Sequence, residues 1–383
     1  DAIVSIEGAG TYCQNSSVTL TGVSAAATGT ITYQWEYYDA SEEWSPIAGA
    51  NTSSFNPSTA VPGETVYRVY FEIDSAVCND PYSSPVSVII DSTSVGGTIS
   101  GEATVCAETN STLLTLSGHT GSVIRWQYST DSGSTWNDID NTSDTYTATD
   151  LTDTTQFRAV VQSGVCPEAF SSAATITVDP VTVPGDVTGG TNVCTGTNST
   201  LLTLSGHTGS VIRWQYSTDS GSTWNDIDNT SDTYTATDLT DTTQFRAVVQ
   251  SGVCPEAFSS AATITVDPVT EGGTASDNQT ICFNTAPENI TLTGNTGNII
   301  RWERSEDPSF TDPVSIPVTT STLTGTDIGD LTDTTYFRAV VQSGACSVDF
   351  SSVVTINVTP DNTIALSSAA GTDAQTVCIN TPI

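Results

Sequence analysis

Residues 113–129 read LLTLSGHTGSVIRWQYS, which is the pattern of two consecutive β-strands joined by a short turn. Apolar and polar side chains alternate along both runs, as they do in strands that bury one face. Gly118 and Gly121 supply the turn between the runs. Trp126 follows Leu116 by ten residues and is predicted to lie in the core.

The same stretch returns as residues 201–217, because residues 109–182 and 197–270 are identical letter for letter. Two divergent copies flank this pair, and such internal repetition is the strongest signal in the chain. A tryptophan and an aromatic residue followed by arginine mark every copy. The predicted repeats are 1–92, 93–180, 181–268 and 269–360, with 361–383 as the start of a fifth, truncated repeat. The marker residues are Trp35, Trp126, Trp214 and Trp302, with Tyr67, Phe157, Phe245 and Phe337.

Each repeat is predicted to be an immunoglobulin-like β-sandwich. The expected strands of the repeat 93–180 are a first strand in two parts, GTIS and ATVC, followed by LLTLSG, VIRWQYS, WNDID, YTATD, TQFRAVVQ and SAATITV. About seven short strands with a core tryptophan on the third are typical of that fold. Leu114 or Leu116, and Ala159, fall where immunoglobulin domains carry their core cysteines, so apolar packing replaces that disulfide. The fold class is therefore all-β, a linear array of immunoglobulin-like β-sandwich domains.

The composition limits the classes of partner. The chain carries 43 acidic side chains and 8 basic ones, all arginine, for a formal net charge of −35. Such a surface repels nucleic acid and anionic lipid. No apolar run is long enough to span a membrane. Nine cysteines and a start without methionine indicate a processed or excised piece of an extracellular protein.

Residues 128–139, YSTDSGSTWNDI, contain the Asp-box pattern S-x-D-x-G-x-T-[FW] of sialidase-like β-propellers, and they return at 216–227. The other two repeats carry YDASEEW and SEDPSF instead, so the motif predicts a hairpin turn and not a catalytic device. His119 and His207 are the only histidines and are expected to be exposed in loops. With no lysine either, acid–base and nucleophilic catalysis have few candidates, and we expect no enzyme.

The combined pattern resembles a known family. The segments QT[IV]C, LTLTG, IRW, the Asp-box, LTDTTxFRAVV, SGxC and TITV look like the tandem immunoglobulin-like repeats of large Bacteroidota surface proteins. These include gliding-motility adhesins and other type 9 secreted proteins. The resemblance implies a cell-surface location and a stalk that serves adhesion or gliding. It also implies O-glycosylation at D-[ST]-[AT], although turn chemistry explains these segments equally well: Ser75, Ser92, Thr154, Thr242 and Thr334.

The cysteines allow two pairings. Bonds within each repeat would leave only Cys378 over, whereas strand geometry places the two cysteines of a repeat at opposite ends of the sandwich. In the alternative, here called the ladder, the first cysteine of each repeat bonds the second cysteine of the next. Cys282 and Cys378 would then pair with units beyond this chain, and Cys78 with one before it. The pairs of the ladder are Cys13–Cys166, Cys106–Cys254 and Cys194–Cys346.

Two functions remain as hypotheses. The first is a stalk or filament segment of a secreted adhesin, with neighbouring repeats, and other copies in a fibre, as partners. The second is a multivalent module that binds glycans or cells through loops such as 117–122. No cofactor is predicted; Ca²⁺ at the acidic loop 138–144 is the alternative to a solvated loop. Arg125 and Arg158 are expected to face outward and pair with carboxylates, a ligand-binding stripe being the less favoured option.

Overall fold

The computed structural model describes residues 4–24, 29–38, 42–74 and 81–360. These residues form β-strands, loops and one short helix. The chain divides into two compact units, Asp1–Val181 with Ser251–Cys254, and Thr182–Gln250 with Pro255–Ile383. Within the described ranges, no helix is long and apolar enough to cross a membrane.

The first compact unit begins with the repeat 1–92. Its eight strands form a three-stranded sheet in the order β1-β3-β6 and a five-stranded sheet in the order β2-β8-β7-β4-β5. The strands are β1 Val4–Glu7, β2 Gly10–Cys13, β3 Leu20–Ser24, β4 Ile31–Tyr38, β5 Trp44–Pro46, β6 Ser54–Phe55, β7 Gly63–Ile73 and β8 Val86–Asp91.

The repeat 93–180 follows in the same unit. It has a three-stranded sheet, β14-β11-β9, and a larger sheet, β10-β17-β15-β12-β13, in which β16 also pairs with β15. The strands are β9 Thr98–Ser100, β10 Ala103–Cys106, β11 Ser111–Ser117, β12 Ser122–Ser129, β13 Asn137–Ile139, β14 Thr145–Thr149, β15 Thr155–Gln162, β16 Ala169–Phe170 and β17 Ala174–Asp179.

The second compact unit contains the other two repeats apart from Ser251–Cys254, and these repeats have the same sheet orders. The third repeat has β18 Asp186–Thr188, β19 Asn192–Cys194, β20 Ser199–Ser205, β21 Ser210–Ser217, β22 Asn225–Ile227, β23 Thr233–Thr237, β24 Thr243–Gln250, β25 Ala257–Phe258 and β26 Ala262–Asp267. The fourth has β27 Thr274–Ala275, β28 Gln279–Cys282, β29 Ile290–Thr293, β30 Asn298–Ser305, β31 Val314–Ile316, β32 Thr322–Leu323, α1 Gly325–Ile328, β33 Thr335–Gln342, β34 Asp349–Phe350 and β35 Val354–Thr359.

The sheets are those of an immunoglobulin-like sandwich. The first strand of each repeat is split: β9 pairs antiparallel with β11 in one sheet, and β10 pairs parallel with β17 in the other. The two inner faces enclose one apolar cluster per repeat. The eight predicted strands of the repeat 93–180 are present, and the short strand β16 is an addition.

The core contains the residues that the alternation pattern selects. The tryptophans Trp35, Trp126, Trp214 and Trp302 are each 0% exposed. Leu114, Leu116 and Ala159 are buried in the same cluster as Trp126. The indole N–H of Trp126 donates to the Ser143 carbonyl oxygen at 2.9 Å, which satisfies its one polar atom.

Candidate functional site: the joints between repeats

Three disulfides each join one repeat to the next. They are Cys13–Cys166, Cys106–Cys254 and Cys194–Cys346, with Cα–Cα distances of 4.7, 4.9 and 4.7 Å. These are the pairs of the ladder, and the alternative of bonds within each repeat does not occur for these six cysteines. Such bonds are typical of proteins in an oxidising compartment.

Strand register places a carboxylate beside the first cysteine of each bond. Cys13 ends β2 and lies opposite Asp91, the last residue of β8, in a parallel pair. Cys106 and Asp179 have the same relationship in β10 and β17, and Cys194 and Asp267 have it in β19 and β26. The disulfide sulfur and the carboxylate of each pair therefore lie side by side at the same end of the sheet.

Each of these carboxylates bonds the loop that carries the second cysteine. The Asp91 Oδ2 atom accepts a hydrogen bond from the Val165 N–H at 2.9 Å. The corresponding bond runs from Val253 to Asp179 at 2.9 Å, and from Ala345 to Asp267 at 2.8 Å. We call one disulfide with its neighbouring aspartate and the loop it bonds a joint.

A glycine in the loop makes this approach feasible. Gly164 has φ +47°, and a Cβ atom on it would collide with the Asp91 carboxylate. Gly252 and Gly344 have φ +48° and +45° and face Asp179 and Asp267 in the same way. Both the left-handed backbone and the lack of a side chain are needed here. The segment S-G-x-C is thus the part of the second, third and fourth repeats that fits the preceding repeat.

The second cysteine of each joint is held inside its loop. Cys166 and Cys254 are 0% exposed, and Cys346 is 2% exposed. The Cys166 N–H donates to the Ser163 carbonyl oxygen at 2.9 Å, and the Gln162 side chain donates to the Cys166 carbonyl oxygen at 2.9 Å. Because one sulfur of each bond is buried, reductants and other thiols have poor access to it.

The remaining cysteines differ from the expectation in one respect. Cys282 is also disulfide-bonded in this chain, whereas the ladder predicts its partner in a unit beyond the chain. Cys78 and Cys378 lie outside the described residues, as do Ser75 and the predicted fifth repeat, 361–383.

A second recurring feature lies on the outer face of the larger sheet. In each repeat an arginine guanidinium lies between two aromatic rings, 3.8–4.2 Å from each ring centroid. We call this group the aromatic–arginine stack. Its members are Trp44, Arg68 and Tyr82; Trp136, Arg158 and Phe170; Trp224, Arg246 and Phe258; and Phe310, Arg338 and Phe350.

The expectation that both outward arginines pair with carboxylates is correct for one of them. Arg125 makes a two-pronged bond to Glu168 at 2.9 and 2.8 Å, which raises the pKa of Arg125 and lowers that of Glu168. Arg158 instead donates to the amide oxygen of Gln127 at 2.7 Å, because the residue opposite it in the strand register is glutamine and not glutamate. Burial lowers the pKa of Arg158.

The Asp-box forms the hairpin turn between β12 and β13. Asp131 accepts bonds from the Thr135 hydroxyl at 2.6 Å, the Thr135 N–H at 2.9 Å and the Ser129 hydroxyl at 2.7 Å. These bonds, that of the Thr135 hydroxyl above all, lower the pKa of Asp131 to about 2. Trp136 donates to the Gly133 carbonyl oxygen at 3.0 Å and presents its ring to Arg158. The motif therefore positions an aromatic ring of the stack.

The two histidines are not solvent-exposed, contrary to the expectation. The His119 side chain is 18% exposed, and its Nε2 atom lies 3.4 Å from the Asp144 carboxylate. The following residue, Thr120, exchanges backbone hydrogen bonds with Val95 of the linker at 3.2 and 3.0 Å. His207 has the same arrangement with Asp232. The loop 117–122 is consequently tied to its own linker.

The acidic loop 138–144 uses two of its carboxylates internally. Asp138 accepts bonds from Gln127 at 2.6 Å and Arg125 at 3.1 Å, and Asp144 faces His119. In the part of the chain that the structure describes, no group of three or more His, Cys, Asp or Glu side chains could hold a metal ion.

The predicted glycosylation positions have different surroundings. Thr154 and Thr242 are exposed, and each hydroxyl accepts a backbone N–H, from Val178 at 3.0 Å and from Val266 at 3.1 Å. Ser92 and Thr334 are half-buried. Glycosylation stays a prediction at all of these positions.

Two equivalent clefts open at the side of the second and third repeats. The cleft in the second repeat has a volume of about 290 Å³. Tyr128 and Tyr146 line it together with Asp150, Thr152 and Asp153. The cleft in the third repeat has about 260 Å³ and the same lining, with Tyr216 and Tyr234 as its tyrosines.

One protein-family model matches nearly all of the chain. The model of the family described as Domain of unknown function (DUF8696) matches residues 3–92, 95–180, 183–268 and 271–360. No match was found among curated proteins. Among solved structures, the FN1–FN3 domains of chicken CNTN1 share 16% identity, cover 69% of this chain and 97% of their own, and give a TM-score of 0.25.

Proposed function

Because the chain belongs to the family described as Domain of unknown function (DUF8696), present here as four tandem copies, we propose that it is a structural stalk segment of a secreted bacterial cell-surface adhesin. The observation that supports this proposal most is the set of three disulfides between successive repeats. A disulfide within a repeat stabilises that repeat alone, whereas a disulfide between repeats restricts the joint as well. No catalytic role is part of the proposal.

Each joint adds directional contacts to the covalent bond. The aspartate accepts an N–H from the next repeat, and the glycine lets the aspartate carboxylate approach the loop backbone closely. Identical neighbouring repeats add reach without adding a new surface. These features suit a spacer that presents another part of a parent protein for adhesion or gliding. Neighbouring repeats are its partners in this proposal, with copies of the chain in a fibre as further partners.

The test compares the oxidised chain with the double variant Cys13→Ser/Cys166→Ser. Spin labels on exposed positions of the first two repeats would report the distribution of distances across the joint. We expect a narrow distribution in the wild type and a broad one in the variant, with each repeat still folded. Equal widths would remove the reason for assigning a mechanical role. Labelling of intact source cells with antibodies tests the surface location.

The clefts favour a second candidate function, a multivalent module for glycans or cells. Aromatic rings beside carboxylates and hydroxyls are suited to bind a sugar ring, and repetition raises the overall affinity. The loop 117–122 is less suited, since its contacts are internal. Binding of the chain to immobilised glycans that is lost in Tyr128→Ala/Tyr216→Ala would favour this function. Binding that survives in this variant would exclude the clefts as the glycan-binding sites.

A further inference from the structure

The three disulfides overlap along the sequence. They close loops with sequence separations of 153, 148 and 152 residues. Cys106 precedes Cys166, and Cys194 precedes Cys254, so each bond starts before the previous one ends. Every peptide bond between residues 13 and 346 therefore lies inside at least one closed loop.

We propose that these overlapping bonds fix a maximum length for the array under tension, whether or not its repeats stay folded. The shortest covalent route from Cys13 to Cys346 crosses to Cys166, follows the backbone to Cys194 and crosses again. It contains 28 peptide steps, from 166 to 194, in place of the 333 from 13 to 346. Fully extended, that route measures about 110 Å, against roughly 1,150 Å for the backbone alone.

Few strands lie on this route. The segment 166–194 contains β16, β17, the linker, β18 and β19. The strands β12 and β15, with the core residues Trp126 and Phe157, lie off it. Tension applied to the ends therefore passes along β16 to β19 and the linker once the slack is taken up, and unfolding of the strands off this route adds no length.

The middle bond has a different role. Cys106–Cys254 lies off the shortest route, but it is the disulfide that spans the segment 166–194, which the other two leave as a single strand. With it in place, one backbone cut anywhere between residues 13 and 346 leaves the two pieces covalently joined. The buried second sulfur of each bond favours its persistence outside the cell.

This inference rests on connectivity alone and holds whatever the stalk presents or binds. It therefore makes a prediction that separates it from the proposed function. Removing the first bond should lengthen the stretched chain, and removing the middle bond should not. Each of these changes removes one disulfide and one joint, so a general loss of stability would affect both variants similarly.

The experiment is single-molecule stretching of the whole chain held at its two termini. Three oxidised proteins are compared: the wild type, Cys13→Ser/Cys166→Ser and Cys106→Ser/Cys254→Ser, with the remaining bonds verified by mass spectrometry. In the first variant the shortest route runs from 13 to 106, across to 254 and back to 194, so it has 153 peptide steps in place of 28 and should gain about 440 Å of contour length at about 3.5 Å per residue. The middle variant should match the wild type, and reduction should lengthen all three. Equal lengths in the two variants, or unfolding steps of whole repeats in the oxidised wild type, would overturn the proposal.

A cleavage experiment tests the middle bond directly. A protease site inserted in the linker 181–185 is cut in the wild type and in Cys106→Ser/Cys254→Ser. Without reductant, the cut wild type should migrate as one species and the cut variant as two. Separation of the wild type without reductant would contradict the proposal. With reductant, both should give two fragments, which shows that cleavage was complete.

Discussion

The Asp91 carboxylate accepts a hydrogen bond from the Val165 N–H at 2.9 Å, across 74 residues of sequence and from one repeat to the next. Asp91 and Val165 meet because β8 ends at Asp91 opposite Cys13. The disulfide of Cys13 with Cys166 holds the loop that contains Val165 against Asp91. The covalent bond and the hydrogen bond thus support each other, and the same relationship occurs in the two other joints.

Asp91→Ala should increase hydrogen exchange at the Val165 amide while the disulfide still forms. The loss of one net hydrogen bond is expected to cost about 1 kcal/mol locally. The matched control is Asp91→Asn, whose side-chain oxygen can still accept the bond and should preserve most of the protection. Hydrogen exchange followed by NMR measures both, and equal protection in the alanine variant and the wild type would show that the bond contributes nothing.

Gly164→Ala should hinder the joint more than an ordinary glycine substitution does. The new Cβ atom meets the Asp91 carboxylate and the backbone is left-handed, so we expect a cost of about 2 kcal/mol and slower formation of Cys13–Cys166. Gly118→Ala is the control, because Gly118 has φ +68° and no atom within 4 Å of the added Cβ. Thiol trapping during oxidation measures the rate. If the disulfide formed at the same rate in both variants, backbone strain would account for the whole effect and the contact with Asp91 for none of it.

Gln127→Glu should destabilise the second repeat unless Asp138 is changed with it. Gln127 donates to Asp138 at 2.6 Å, and a carboxylate there would face a like charge. In the fourth repeat Glu303 occupies this place, bonds Arg301 and Arg338, and lies opposite Ser315. We expect a loss of about 1 kcal/mol for the single change and recovery in Gln127→Glu/Asp138→Ser.

Chemical unfolding of the isolated variants measures this coupling. Asp138→Ser alone is the necessary reference, since it also removes a bond to Arg125. If the effects of the two changes on the free energy of unfolding were strictly additive, the two residues would not interact energetically, despite the hydrogen bond of 2.6 Å between them.

The Asp-box should give the second and third repeats an acid-sensitive contribution to stability. The pKa of Asp131 is lowered from 3.8 to about 2 by the Thr135 and Ser129 bonds, and Asp219 has the same shift. A carboxyl group whose pKa is lower in the folded state than in the unfolded state stabilises the fold at pH values above its unfolded pKa. For Asp131 this stabilisation is lost as the pH falls from about 4 to about 2. In Asp131→Asn/Asp219→Asn, the free energy of unfolding should depend less on pH between about 4 and about 2. If the variant and the wild type lost stability equally with falling pH, or if Asp131 titrated near pH 4 by NMR, the result would contradict these hydrogen bonds.

Nearly all of the strands could be predicted from the sequence, for a physical reason. Alternation of apolar and polar side chains is a local property, so LLTLS and VIRWQYS predict β11 and β12 together with the buried Trp126. The aromatic–arginine stack was missed, although Phe170 and its counterparts recur four residues after each second cysteine. That spacing was the available signal, but it does not show that β16 folds back onto β15 beside Arg158.

By itself, the sequence determined the repeats, the strand pattern and the core, because each depends on neighbours along the chain. Only the tertiary structure decided which cysteines pair, why Asp91 and Gly164 belong to one joint, and that His119 is half-buried. Those outcomes depend on which end of one sandwich meets which loop of the next. Contacts between residues about 75 positions apart follow from that packing, and cysteine spacing alone is compatible with either pairing.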